Sequence, residues 1–129
     1  MDTEDFVTYE QALSLKELGF DEFVLYKYEA NTLITPNELI YRDYNDDYMY
    51  FNSCSAPTLA QAQKWLFEKG YFVEVNWFCS NKTNYWWFNI VNLDLQNYYQ
   101  DSKDYDSPSI ALSEGITKCL KLIENENTK

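Results

Sequence analysis

At 129 residues, with 46% hydrophobic and 24% charged side chains, the chain has material for one compact domain and is too apolar to stay disordered. Ten Lys plus Arg against 21 Asp plus Glu give a net charge of −11, which excludes a simple binder of the phosphate backbone, since that task needs a basic face. The sequence has no His, which removes imidazole acid–base work, Ser-His and Cys-His nucleophile pairs and His-ligated zinc.

Helix and strand signals follow in chain order. Thr8 with Gln11 three residues on is a capping-box arrangement, and Gly19 supplies the residue that tolerates a left-handed helix end, so a helix is predicted between them. EFVLYKYE (Glu22 to Glu29) reads as a strand, followed by weaker strands at NELIYR (Asn37 to Arg42) and YMYF (Tyr48 to Phe51), with a turn over Tyr41 to Tyr48. Thr58 after Pro57, Gln61 and Gly70 repeat the helix grammar, with Leu59, Ala62, Trp65 and Leu66 on the inner side. In YFVEVNWFC (Tyr71 to Cys79) the odd and even positions alternate as in a half-buried strand. Its expected partner is Tyr85 to Leu95, across a loop of Ser80 to Asn84, and both faces of that partner carry large side chains. Gln96 to Asp106 reads as an irregular acidic link. Ser107 and Pro108 then open a last helix whose apolar stripe is Leu112, Ile116, Cys119, Leu120 and Ile123. Gly115 inside that helix costs about 1 kcal/mol relative to Ala, so close packing is expected there.

The implied fold class is α+β: helices packed on one mainly antiparallel sheet, in the order α-β-β-β-α-β-β-α. Residues 1–50 carry a net charge of −9, residues 51–100 are neutral and hold all four Trp, and residues 101–129 carry −2. This pattern suggests a single domain over 1–129, with 1–50 as an acidic wrapping segment around a helix-hairpin-helix core in 51–129.

Three stretches, LKELGFD (Leu15 to Asp21), SAPTLAQAQKWL (Ser55 to Leu66) and YDSPSIALSEGITKCLKLI (Tyr105 to Ile123), together resemble a group of short, uncharacterised proteins encoded by phages and prophages of Bacteroides-type bacteria. The resemblance implies a phage or mobile-element origin and carries over no functional residues. Those proteins place a charged residue after the Trp-Leu pair where this chain has Phe67, which implies a more apolar surface here.

Chemistry-bearing motifs are few. Asp43, Asp46 and Asp47 are the densest carboxylates, yet they lack the alternating spacing and Gly of a calcium loop, and read as a solvated turn. Asp101, Asp104 and Asp106 read the same way, Asp106 being suited to the positive end of the last helix. Cys54 before the Thr58 helix is the thiol to watch, although no His is present to activate it. Three dispersed cysteines without CxxC spacing suggest buried thiols in a reducing compartment, and the acidic N-terminus and absence of a long apolar run suggest a cytoplasmic protein outside the membrane. No cofactor, metal or catalytic residue is expected.

The abnormal quantity is the aromatic content, 19%. Tyr41, Tyr44, Tyr48, Tyr98, Tyr99 and Tyr105 sit among acids in the segments expected to be irregular. With Asp43, Asp46 and Asp47 they form the candidate partner surface, because Tyr offers rigid area and an adaptable hydroxyl. The expected role is a non-enzymatic interaction module binding an unidentified host or phage protein, with homo-oligomerisation left open and no direct nucleic-acid binding. The alternatives are a nucleic-acid-mimicking inhibitor and a small carboxylate-dependent metal-binding protein or enzyme.

Overall fold

The computed structural model describes residues 5–22, 24–34, 53–101 and 103–127. Its contacts divide the chain into two compact units, Met1–Thr58 and Leu59–Lys129. The expected strands at Asn37 to Arg42 and Tyr48 to Phe51 lie outside the described residues.

In the first unit, helix α1 (Tyr9–Glu17) begins as predicted. The Thr8 hydroxyl accepts the Gln11 N–H at 3.1 Å, and the Gln11 side chain accepts the Thr8 N–H at 2.7 Å. It ends in a Schellman motif. Gly19 takes φ +99°, its N–H reaches the Lys16 carbonyl, and the Phe20 N–H reaches the Leu15 carbonyl at 2.9 Å. Leu15 and Phe20 are both buried, which supplies the apolar contact this motif favours. Three antiparallel strands follow: β1 (Lys27–Glu29), β2 (Thr32–Ile34) and β3 (Ser53–Ser55), with β1 central. Among the described residues of Glu22 to Glu29, only the last three form a strand. Residue 26 faces β3's exit instead, where its carbonyl accepts the Ala56 N–H at 2.9 Å. The Tyr28 ring is buried and its hydroxyl donates to the Val7 carbonyl at 2.7 Å.

The second unit opens with α2 (Leu59–Glu68), whose predicted inner side chains Leu59, Ala62, Trp65 and Leu66 are all buried. Gly70 takes φ +100° and turns the chain into β4 (Tyr71–Ser80). Strand β5 (Thr83–Asn92) returns antiparallel through a two-residue turn, in which Asn81 and Lys82 both hold positive φ, +51° and +64°. Two successive positive φ values are what a type I′ turn requires, and its twist matches the strands. The expected five-residue loop is therefore shorter, and the hairpin is longer at its tip.

At its other end β5 stops at Asn92 rather than Leu95. The Asn92 Oδ1 accepts the N–H groups of Asp94 and Leu95, both at 3.1 Å, and this side-chain turn reverses the chain. It leads into β6 (Asn97–Gln100), which pairs with β5. Part of the segment expected to be an irregular link is thus a third strand of a second antiparallel sheet, ordered β4-β5-β6. The α+β class stands, and the predicted element order stands with β6 added to it, the strands being distributed over two small sheets rather than one.

Helix α3 (Pro108–Asn127) begins where Ser107 and Pro108 place it, with the Ser107 hydroxyl accepting the Ile110 N–H at 3.1 Å. Its buried stripe is Ala111, Gly115, Ile116, Cys119, Leu120 and Ile123; Leu112 is only half-buried. The stripe is rotated toward the small residues because the helix approaches the sheet closely. A Cβ on Gly115 would lie 2.6 Å from Val73 Cγ1 and 3.1 Å from the Phe88 ring. Buried apolar side chains are spread along both units, from Phe6 and Val7 to Ile123, rather than concentrated in the middle of the chain.

Candidate functional site

Strand alternation assigns each face of the second sheet. Val73, Val75, Trp77 and Cys79 of β4 share a face with Trp86, Phe88 and Ile90 of β5 and with Tyr99 of β6, and α3 packs on this face through Gly115. The opposite face carries Phe78 and Ser80 beside Tyr85 and Trp87, with Gln100 on β6. There a groove of about 520 Å³ opens, lined by Phe78, Ser80, Tyr85, Trp87, Gln100, Asp101, Lys103 and Asp104. Phe78 and Tyr85 are directly opposed in register, and Trp87 follows two residues along β5, so the three aromatic side chains share the groove's face.

The rim comes from a bulge. Asn89 pairs with Gln100, but Trp86, three residues before Asn89, pairs with Tyr105, five residues after Gln100. Two extra residues on the outer strand must bow away from the ladder, and such bulges re-aim side chains at sheet edges. Here the bow carries Asp101, Lys103 and Asp104 to the groove. Its two ends are fastened: the Asp101 N–H donates to the Phe88 carbonyl at 3.3 Å, and the Tyr105 N–H donates to the Trp86 carbonyl at 2.7 Å.

Tyr105 also joins the rim to the core. Its ring stacks on Phe88 with centroids 6.0 Å apart, and its hydroxyl donates to Asp101 Oδ2 at 2.7 Å. Burial first, and that hydrogen bond second, push the phenol pKa upward, so the hydroxyl keeps its proton and continues to orient the carboxylate. Tyr99 stacks on the same Phe88 ring at 6.3 Å, and the Lys118 ammonium lies 4.8 Å from the Tyr99 ring centre.

Of the predicted surface, the described residues include Tyr98, Tyr99 and Tyr105. Tyr41, Asp43, Tyr44, Asp46, Asp47 and Tyr48 lie outside the described residues. Tyr98 enters as a β6 backbone position paired with Val91. Tyr99 and Tyr105 are half-buried on the α3 side, where they buttress the sheet. The segment holding them reaches the groove through Gln100, Asp101, Lys103 and Asp104 instead. Phe78, Tyr85 and Trp87 were not singled out from sequence, because both faces of the hairpin are aromatic there. The signal that separates the faces is the register set by the Asn81–Lys82 turn.

Of the four tryptophans in residues 51–100, Trp65 is buried, Trp86 and Trp87 are half-buried, and Trp77 is 56% exposed with its indole N–H donating to Asn84 Oδ1. Exposure rises along the hairpin from Val73 and Phe88, which meet α3 at Gly115, to Trp77 and Phe78 nearer the tip. Phe67 is 49% exposed and packs edge-on against Phe72, in keeping with the apolar surface expected there.

The thiols offer little chemistry. Cys54 is fully buried on β3, and burial pushes its pKa up to about 11, which keeps it a protonated thiol. Burial likewise pushes Cys119 up to about 12. Among the described residues, no group of three Cys, Asp or Glu side chains converges as a metal site would require, and no helix is long and apolar enough to cross a membrane. No family model, curated protein or solved structure matches the chain.

Proposed function

We propose that the chain is a non-enzymatic protein-interaction module that docks its partner on the aromatic groove of the second sheet. The observation that carries this reading is the convergence of Phe78, Tyr85 and Trp87 on one face with Asp101 and Asp104 on the bulged rim. Interface centres favour such aromatic side chains, because they offer large contact area at little entropic cost, surrounded by polar groups that fix orientation. Phe78 is 57% exposed, so its burial under a partner adds free energy that the isolated chain does not have. Cys54, the thiol a nucleophilic mechanism would draw on first, is buried and held protonated, which favours binding over catalysis. The module belongs to a phage or mobile element and works in the reducing cytoplasm of its host. The sequence resemblance supports the first point, and three cysteines standing free support the second.

The test is retention of a partner from lysate of a Bacteroides-type host by three immobilised proteins: the unaltered chain, Trp87→Ala and Trp77→Ala. Trp77 lies on the other face of the same hairpin and controls for general stickiness of exposed rings. A partner kept by the unaltered chain and Trp77→Ala but lost by Trp87→Ala supports the groove. Partners indifferent to Trp87→Ala sink it.

A further inference from the structure

We infer that the groove accepts arginine side chains from a short basic segment of the partner, an assignment that rests on the interaction reading above and names its chemistry. Three of the lining residues, Phe78, Tyr85 and Trp87, are aromatic, and an aromatic face attracts a cation lying over it. The rim carries two carboxylates against one ammonium, and no ion pair joins Lys103 to either Asp101 or Asp104 among the described residues. Negative charge at the rim is therefore left uncompensated.

The same face also carries acceptors outside the groove lining. Asn76 and Asn89 both donate to Glu74 Oε1, at 3.0 and 3.4 Å, and Asn89 Oδ1, two residues from Trp87 on the same face, is buried without a donor. At the groove itself the carboxylates of Asp101 and Asp104 are the charged acceptors, which a donor-rich cation complements and an anion or a phosphate does not.

Geometry selects guanidinium over ammonium. A guanidinium is planar, so it stacks on Trp87 or Tyr85 while its edge presents paired N–H groups to a carboxylate; an ammonium is a compact, strongly hydrated point charge that does neither. Tyr105 holds Asp101 Oδ2 from the core side, which leaves Oδ1 for the edge of the incoming group. A volume of about 520 Å³ exceeds one side chain and falls in the range of ordinary ligand sites, so the ligand is a stretch of chain rather than a free ion.

The experiment titrates the ¹⁵N-labelled full chain with blocked tetrapeptides Gly-Arg-Arg-Gly, Gly-Lys-Lys-Gly and Gly-Cit-Cit-Gly, where Cit is citrulline, equal in shape to arginine but uncharged. The four Trp indole N–H signals are followed, assigned by substitution. The expected result is a saturable shift of the Trp87 signal with the arginine peptide. Affinity falls at least fivefold for the lysine peptide and beyond detection for the citrulline peptide, and Trp77 is unaffected. Trp87→Ala weakens the arginine peptide at least tenfold, Trp87→Phe restores most of it, and Asp104→Asn, at an exposed position that leaves the fold alone, weakens it several-fold. Equal binding of arginine and lysine peptides, insensitive to Trp87→Ala, overturns the inference in favour of diffuse attraction to a chain of charge −11. A Trp87 shift with a neutral oligosaccharide and none with the arginine peptide overturns it too. The interaction reading is judged separately, by whether Trp87→Ala loses a protein partner. A partner lost on that substitution together with silent peptides removes the arginine assignment alone.

Discussion

Residues 1–58 carry a net charge of −9 and, among the described residues, pair their strands on a central β1 of three residues, whereas residues 59–129 carry −2 and build their sheet on a hairpin of two ten-residue strands. A three-residue central strand supplies few ladder hydrogen bonds, and among the described residues of the first unit point contacts add to them. The Tyr28 hydroxyl donates to the Val7 carbonyl, the Val7 N–H to Pro57 and the Ala56 N–H to residue 26. The second unit satisfies its backbone along one long ladder, and a glycine lets a helix lie directly on it. The contrast shows why the groove belongs to the second unit. A long, nearly uncharged hairpin can carry exposed aromatic side chains and still be held in register by its ten-pair ladder.

Substitution at each unit's tightest point tests that contrast most strongly. Gly115→Val drives methyl groups into Val73 and Phe88, and is expected to cost about 3 kcal/mol by overpacking. Leu15→Ala, at a fully buried position of the first unit, is expected to cost about 3 kcal/mol by leaving a cavity. Urea denaturation gives both values, and amide exchange shows whether protection falls first in the unit that was altered. Equal loss everywhere would erase the distinction between the units.

Alkaline pH separates the units next. Each buries a thiol whose pKa rises from 9.0, Cys54 to about 11 and Cys119 to about 12. Above pH 9 the unfolded chain releases protons that the folded chain retains, so the unfolded state binds fewer protons and stability falls as pH rises. The contribution is complete below pH 9 and is lost on approaching pH 11 for Cys54 and pH 12 for Cys119, at about 2–4 kcal/mol per thiol. In melting curves from pH 8 to 11.5, Cys119→Ala should flatten the alkaline decline more than Cys54→Ala. An unchanged slope in both variants would mean that these thiols are not shielded from water.

The smallest effect concerns the turns. Ala30 and Lys82 hold φ of +52° and +64° in the turns after β1 and β4, where a Cβ is strained. Ala30→Gly and Lys82→Gly should each stabilise by about 1 kcal/mol, read as a raised denaturation midpoint. A gain at Lys82 and none at Ala30 would show that only the long hairpin depends on its turn for register.

Local chemistry made much of this legible before any coordinates. The Thr8–Gln11 box, the Gly19 and Gly70 terminators and the Ser107–Pro108 start are decided within a few residues of backbone, so they appear in the sequence and recur in the fold. The close packing at Gly115 was legible for the same reason: a costly residue inside a helix points to a neighbour that needs the space. The exposed tip was not. Alternation in the hairpin is aromatic on both faces, and which rings meet α3 depends on where that helix ends over the sheet.

The sequence by itself determined the helices, their caps and the α+β class, because capping hydrogen bonds and apolar periodicity act over one or two turns of chain. Tertiary structure alone decided the site. The two-residue turn set the register that gathers Phe78, Tyr85 and Trp87 on one face. The two-residue bulge between Gln100 and Tyr105 then carried Asp101 and Asp104 to their edge. Both depend on which residue of one strand lies opposite which residue of another, a pairing fixed by the packing of the whole unit rather than by any local run of side chains.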